Sequence, residues 1–317
     1  MIWLYITLAV LLLVVLPPFV LSYILYSILL VRTKPDKWGR ECSIPDDEEY
    51  RRMFDIGLAW DAQYGDKKRA VHIRSDGLRL AGEYFDFGGS KAALIIAGRM
   101  ESLLYSYYFA EPFRRAGYNV LVIDNRAHGQ SEGKITALGY KEYRDVLRWC
   151  EFLHDTLHNE KVFLHGICIG ASTALFAAVS DGCPDYLEGL SVEGMYVNFY
   201  ESFRNHMLVD RPEKPRWPIM PLTMLWIRLI SGADVVHDGP YWRIDRLRKP
   251  ILFLHSREDQ YSAPDKAAQL YEKCTAPKEL VWFDRGQHSR IRINNTDDYD
   301  AAIVGFLTKL QKRAKSS

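Results

Sequence analysis

Cysteine is sparse and unpatterned in this chain. Five residues in 317 (Cys42, Cys150, Cys168, Cys183 and Cys274) make an odd set with no CxxC spacing. That reads as neither a disulfide framework nor a zinc site, and points to reduced thiols. An excess of charge of one sign is also missing: 41 Lys+Arg stand against 40 Asp+Glu, a net +1. Nothing electrostatic therefore calls for nucleic acid as a partner. No internal repeat or low-complexity tract is present. With 48% hydrophobic and 26% charged residues, the composition is that of an ordinary globular chain, not a disordered one. The length suits one sizeable α/β domain and an accessory segment.

Charge is absent altogether from residues 2–31, "IWLYITLAVLLLVVLPPFVLSYILYSILLV". About 20 apolar residues suffice to cross a bilayer. A cleavable leader would want a basic start, a shorter apolar core and a small-residue cleavage site. None is evident, so residues 1–32 read as an uncleaved transmembrane anchor. Pro17 and Pro18 fall in mid-run, where they should kink the helix; a re-entrant hairpin bent at that pair is the alternative. Arg32, Lys34, Lys37 and Arg40 follow the span, which puts the larger part of the chain on the cytoplasmic side.

Residues 33–65 are polar and mixed, and "PDDEEYRR" reads as a solvated helix in a juxtamembrane linker. Beyond it, residues 66–317 alternate strand and helix signals. "AVHIRSDGLRLAGEYF" (70–85) reads as a hairpin turning at Asp76-Gly77. Short apolar runs at 92–98, 119–124, 161–166, 187–194, 250–256 and 279–284 read as buried strands. Helical patterns lie between most of them, including one over roughly 105–116 that ends at Gly117, and a last one over about 298–313. This alternation argues for a mostly parallel sheet with helices on both faces. Residues 196–249 break the rhythm: they hold no clear strand and are dense in aromatics, Met and Pro. They read as a helical cap over the strand ends, or as a second membrane-contacting patch.

The chemistry-bearing stretch is "KVFLHGICIGAST". A buried strand runs into Gly166-Ile167-Cys168-Ile169-Gly170 and then into a small-residue helix start. A nucleophile elbow needs this layout, because small flanking residues let strand and helix approach closely. The central side chain then sits at a helix N-terminus, where an anion is favoured. The plain alternative is a small buried cysteine at a tight turn. A nucleophile needs a base, and the base an orienting acid. After the strand "PILFLHS" come Glu258 and Asp259, and after "ELVWFD" comes His288. The shorter Asp259 is the preferred acid, with Glu258 beside it and Glu193 as a more distant substitute. Backbone N–H groups of Ile169 and Arg99 would form the oxyanion hole. The Arg99 side chain is expected to point outward into solvent, the alternative being that it points into the pocket and binds an anionic substrate.

With these blocks assembled, the chain resembles the α/β-hydrolase superfamily, in particular bacterial membrane-anchored esterase or serine-peptidase-like hydrolases with one N-terminal span. The resemblance covers about residues 70–312 and rests on "IIAGRMES", "GYNVLVIDNRAHGQSEGKITALGYKEYRDVLRW", "LHGICIGAST", "PILFLHSREDQ" and "DRGQHS". It implies nucleophile Cys168, acid Asp259, base His288, and main-chain donors at Ile169 and Arg99. His128 is implied to be a structural loop residue. Two positions depart from the family: Ala97-Gly98 replaces its usual His-Gly, and Cys168 replaces its serine. Dienelactone hydrolases and polyhydroxyalkanoate synthases are similar in carrying cysteine at this elbow.

A thiolate leaves a tetrahedral intermediate easily, so activated acyl groups such as thioesters should react better than peptides. The reading is a hydrolase of acyl esters or thioesters acting on a small-molecule, lipophilic substrate. An acyltransferase using the same triad, and an inactive membrane-tethered binding protein, are the alternatives. No metal or organic cofactor is implied.

Overall fold

The computed structural model describes residues 1–316. Its centre is one eight-stranded sheet: β1 (Lys68–Ser75), β2 (Leu78–Phe85), β3 (Lys91–Ile96), β4 (Asn119–Ile123), β5 (Lys161–Ile167), β6 (Leu187–Glu193), β7 (Ile251–Ser256) and β8 (Lys278–Phe283). The strand order is β1-β2-β4-β3-β5-β6-β7-β8. β1 and β2 form the expected hairpin and join β4 antiparallel. Every pairing from β4 to β8 is parallel. The unbroken apolar strands follow from this placement, since both faces are covered. Along β3, Ala92, Leu94 and Ile96 enter one hydrophobic cluster while Ala93 and Ile95 enter the other.

Eight main helices accompany the sheet. α1 spans Ile2–Leu30, α2 Glu48–Gln63, α3 Glu142–Glu151, α4 Ile169–Ala178, α5 Phe199–Asp210, α6 Ile219–Ser231, α7 Pro264–Lys273 and α8 Thr296–Ser316. One face of the sheet is covered by α3, α4 and α7, through residues such as Trp149, Leu175 and Leu270. The other takes α2 and α8, through Met53, Trp60, Phe306 and Leu307.

Three details differ from the sequence reading. First, α2 is not a solvated linker helix: Tyr50, Met53, Gly57 and Trp60 are buried on one side. Asp47 caps it by accepting the N–H of Tyr50, and Arg290 pairs with Asp47 and Glu49. Alternating charge hid the apolar stripe that these four positions make at helical spacing. Second, the helix expected over 105–116 is broken into Leu103–Ser106, a 3-10 turn at Tyr107–Phe109, and Glu111–Arg115. Pro112 is the reason, because it lacks an N–H and fits only a helix's first turn. Third, Pro17 and Pro18 do not break α1. A π-turn over Leu11–Val15 precedes them and re-spaces the carbonyls that the proline rings would otherwise strike.

α1 is the only described helix long and apolar enough to cross a membrane, with mean hydropathy 2.6. Its final turns pack on the insertion between β6 and β7. Trp226 of α6 packs tilted against Phe19 at 4.6 Å and edge-on against Tyr23 at 5.1 Å between ring centroids, and its indole N–H donates to Ser22 Oγ at 3.1 Å. Tyr26, Leu30, Phe199, Phe203, Met224 and Ile227 form a third core shared by α1 and the insertion. The insertion between β6 and β7 therefore packs as a cap, yet keeps Trp217, Leu225 and Leu229 exposed.

The loop after β4 is fixed by Arg126, whose guanidinium donates twice to the buried carboxylate of Asp145 on α3, at 2.7 Å each. Arg126→Met is expected to lower unfolding stability in mild detergent by about 3–5 kcal/mol, because Asp145 is left buried and unpaired. Arg126→Met with Asp145→Leu should recover most of that loss; urea titration of the three proteins checks it.

Candidate active site

The site begins where β5 runs into α4. Cys168 lies between them at φ 56°, ψ −115°, a sterically costly conformation for a residue with a Cβ. Two glycines permit it. A Cβ on Gly166 would fall on the main chain of Gly170, and one on Gly170 would fall on the carbonyl of Ile96. The Cys168 N–H donates to Glu193 O at 2.9 Å, which ties the elbow to the end of β6. Its side chain is left half-buried above the sheet. Ile169 opens α4, so its N–H has no carbonyl partner within the helix.

The loop after β3 comes close to the same point: a Cβ on Gly98 would lie 3.6 Å from that of Cys168. No histidine at position 97 is needed to hold this loop. Asn125 donates to Ala97 O at 3.2 Å, Ser43 donates to Met100 O at 2.8 Å, and the buried His128 ring contacts Arg99 O through Nε2. Trp38 stacks on His128 at 4.7 Å. The "DNRAHG" block and the segment after α1 thus fix the candidate oxyanion backbone.

The carboxylates after β7 divide the work. Asp259, 1% exposed, accepts the N–H groups of Tyr261 and Ser262 on Oδ1 at 2.9 and 2.8 Å. Its Oδ2 meets His288 Nδ1 at 2.8 Å. Glu258 turns away and accepts the N–H of Gly286 at 2.9 Å, bracing the loop that carries His288. Glu193 stays behind the site, where Tyr299 donates to it at 2.6 Å. His288 Nε2 is buried and has no hydrogen-bond partner among the described residues.

The charges around the imidazole reinforce one another. Burial alone would lower the proton affinity of His288, but the Asp259 carboxylate and the Cys168 thiol outweigh it and raise it well above the usual histidine range. Asp259 is held below the usual carboxylate range: burial opposes this, and the charge and hydrogen bond of His288 prevail. The arrangement favours an imidazolium between a carboxylate and the candidate nucleophile.

Several groups gave no sequence signal as site residues. Cys168, Ile169 and His288 line a cavity of about 730 Å³ that also holds Arg99, Glu101, Tyr196 and His206. The size is ordinary for small-molecule sites, roughly 300–1,000 Å³. Glu101 is 8% exposed; burial pushes its carboxyl up to about 7, against the charge of His288 and the N–H of Gly98. The Tyr196 hydroxyl is buried without a partner among the described residues. His206, from α5, stacks on Tyr261 at 3.7 Å, and burial followed by the charge of His288 lowers it to about 4. The Arg99 side chain corrects the sequence reading. It points inward and donates to Leu29 O at 3.1 Å, because the end of α1 occupies the place where solvent was expected.

Comparison with known proteins gives four likenesses. The sequence model of the family described as alpha/beta hydrolase fold matches residues 92–221. The uncharacterized protein YqkD of Bacillus subtilis is 31% identical over 221 residues, covering 68% of this chain and 71% of its own. The uncharacterized membrane protein YNL320W of Saccharomyces cerevisiae is 26% identical over 200 residues, 62% of each chain. Among solved structures, the esterase Pf2001 of Pyrococcus furiosus is similar with a TM-score of 0.65 at 20% identity, over 78% of this chain and 93% of that one. At that identity the likeness is one of fold.

Glu193 supplies a test of the site's electrostatics. Burial pushes its carboxyl from 4.5 up to about 7, although the Tyr299 hydrogen bond and the charge of His288 act the other way. Between those values the folded chain keeps a proton that the unfolded chain has lost, so stability falls as pH rises through the window. Glu193→Gln is expected to show a smaller fall in melting temperature from pH 5 to pH 8 than the wild type.

Proposed function

The chain belongs to the α/β-hydrolase superfamily, and from that premise we propose that it is a membrane-anchored hydrolase of acyl esters or thioesters using Cys168, His288 and Asp259. The observation that carries this reading is the 2.8 Å contact of His288 Nδ1 with Asp259, together with Cys168 on a strained elbow beside the same ring. A retired binding site has no use for a buried, oriented acid and base.

In this mechanism the Cys168 thiolate attacks the acyl carbon. The oxyanion is taken up by the N–H groups of Ile169 and Arg99. The His288 imidazolium gives its Nε2 proton to the departing alkoxide or thiolate, leaving an acyl thioester on Cys168. Neutral His288 then takes a proton from water as it attacks that thioester, and returns it to the Cys168 sulfur or holds it as imidazolium. Asp259 keeps the ring oriented and offsets its charge throughout. A thiolate is as good a leaving group as a substrate thiolate and far better than an amine. Thioesters should therefore partition forward and peptide amides back.

The apolar cavity favours acyl transfer as the second reading, since a site that excludes water keeps the acyl-enzyme for another acceptor. The basic residues after α1 favour the cytoplasmic side for the catalytic domain, with α1 as its anchor.

Full-length protein in detergent is expected to release p-nitrophenol steadily from a short p-nitrophenyl ester. Cys168→Ala and His288→Ala should reduce kcat/KM by at least about a thousandfold. Persistence of turnover in Cys168→Ala would exclude the thiol route. A single stoichiometric burst, followed by turnover when an alcohol or thiol is added, would favour transfer. Asp259→Asn is expected to cost about a hundredfold or more. It should also bring the alkaline limb of the pH profile to lower pH, because the raised proton affinity of His288 depends on that carboxylate.

A further inference from the structure

The cavity at Cys168 is not closed by the catalytic domain alone. Leu25 and Leu29, from the last two turns of α1, line it alongside Phe199, Phe203 and Met207 of α5. This end of the helix is fixed to the domain rather than tethered to it. Arg99, two residues beyond Ala97 in the candidate oxyanion loop, holds Leu29 O. Lys37 Nζ takes the carbonyls of Ser27, Ile28 and Val31 at 3.1, 2.7 and 2.5 Å. Thr136 N–H donates to Leu30 O at 3.0 Å, and Arg32 N–H to Lys134 O at 2.7 Å. The helix suited to a bilayer therefore enters the cavity wall as a rigid part of it.

The surface around this junction is apolar on the outside as well. Upstream of Ser22, α1 exposes nearly all of its side chains; α6, packed on it, leaves Leu225 at 41% and Leu229 at 65% exposure, and Trp217, just before α6, stands at 78%. Such a patch is costly in water and suited to lipid. A soluble acyl substrate would need neither a membrane helix in its pocket nor a lipid-facing cap beside it.

We propose that the membrane helix forms one wall of the acyl-binding subsite, that Leu25 and Leu29 set its chain-length selectivity, and that the substrate is a long-chain acyl ester or thioester drawn from the bilayer. The chemistry at Cys168 rests on the hydrolase reading above; the subsite itself does not. The acyl chain lies against Leu25 and Leu29, and its carbonyl lies at Cys168. Head-group chemistry is left to the polar residues of the lining, among them Glu101, His206 and Arg290.

The test uses the full chain in nanodiscs and reads alkylation of Cys168, which needs an open cavity and a thiol but no turnover. N-Ethylmaleimide and N-dodecylmaleimide add the Cys168 sulfur across their double bond, and peptide mass analysis separates Cys168 from the other four thiols. The quantity read is the ratio of dodecyl to ethyl rates at Cys168. Leu29→Trp, which fills the subsite, is expected to lower this ratio at least tenfold, and Leu25→Trp to lower it in the same direction. Ile28→Trp, on the exposed side of the same helix, should leave it unchanged. A ratio unaltered in Leu29→Trp, or altered equally in Ile28→Trp, overturns the proposal. Should the tryptophan variants fail to fold, Leu29→Ala enlarges the subsite instead and should move the preferred maleimide from dodecyl toward hexadecyl; no movement overturns it. Chain-length selectivity at Cys168 without any ester or thioester turnover would sink the hydrolase reading and leave the subsite standing. Turnover without selectivity would do the reverse.

Discussion

The close crossing of β5 and α4 is the constraint on which the rest of the site depends. Gly166 meets the backbone of Gly170, and Gly170 meets the carbonyl of Ile96 in the neighbouring strand, at separations no Cβ would tolerate. That approach forces the residue between them into a strained backbone and lifts its side chain clear of the sheet. It also brings the first turn of α4 and the loop after β3 to one point. Parallel strand order then decides what else can reach that point, since every strand from β3 to β8 ends on the same edge. Asp259 follows β7 and His288 follows β8. The candidate acid and base therefore follow the two strands at the far end of the sheet.

The electrostatics of the site are built from burial offset by pairing. Asp259 is nearly inaccessible, yet holds its charge because two backbone N–H groups and an imidazole face it. Glu193 and Glu101 are buried with fewer partners, and burial raises both. The result is one committed carboxylate among carboxyls that retain protons more readily.

The apolar N-terminal helix, the segment that follows it and the insertion between β6 and β7 are parts of one packed body. α2, Trp38, Arg40 and Ser43 all come from the stretch between the apolar helix and the first strand, and all of them hold the catalytic domain together. α2 covers the sheet, Trp38 stacks on His128, Arg40 pairs with Glu83 and Asp124, and Ser43 holds the loop after β3. Basic residues that read from the sequence as markers of orientation also serve as caps. Lys37 satisfies the carbonyls of Ile28 and Val31 at the end of α1, which no further turn of helix reaches, and shares that of Ser27 with the Val31 N–H.

By itself, the sequence determined what depends on local pattern. Strand runs buried on both faces, the Asp76-Gly77 hairpin, the glycines around Cys168 and the apolar span at the N-terminus are all short-range signals, because each follows from the covalent neighbours of a residue. The order Cys168, Asp259, His288 was legible because strand ends fall in chain order. What only the tertiary structure decided involves partners distant in the chain. Glu258 and Asp259 are adjacent carboxylates that the sequence treats almost alike; the fold sends one to Gly286 and the other to His288. Arg99 reads as a surface arginine until Leu29, 70 residues earlier, supplies its acceptor. His206, Glu101 and Tyr196 carry no motif, and their standing in the site comes from burial against elements that no local pattern connects. Side-chain environment is set by packing between elements, and packing is a property of the whole chain.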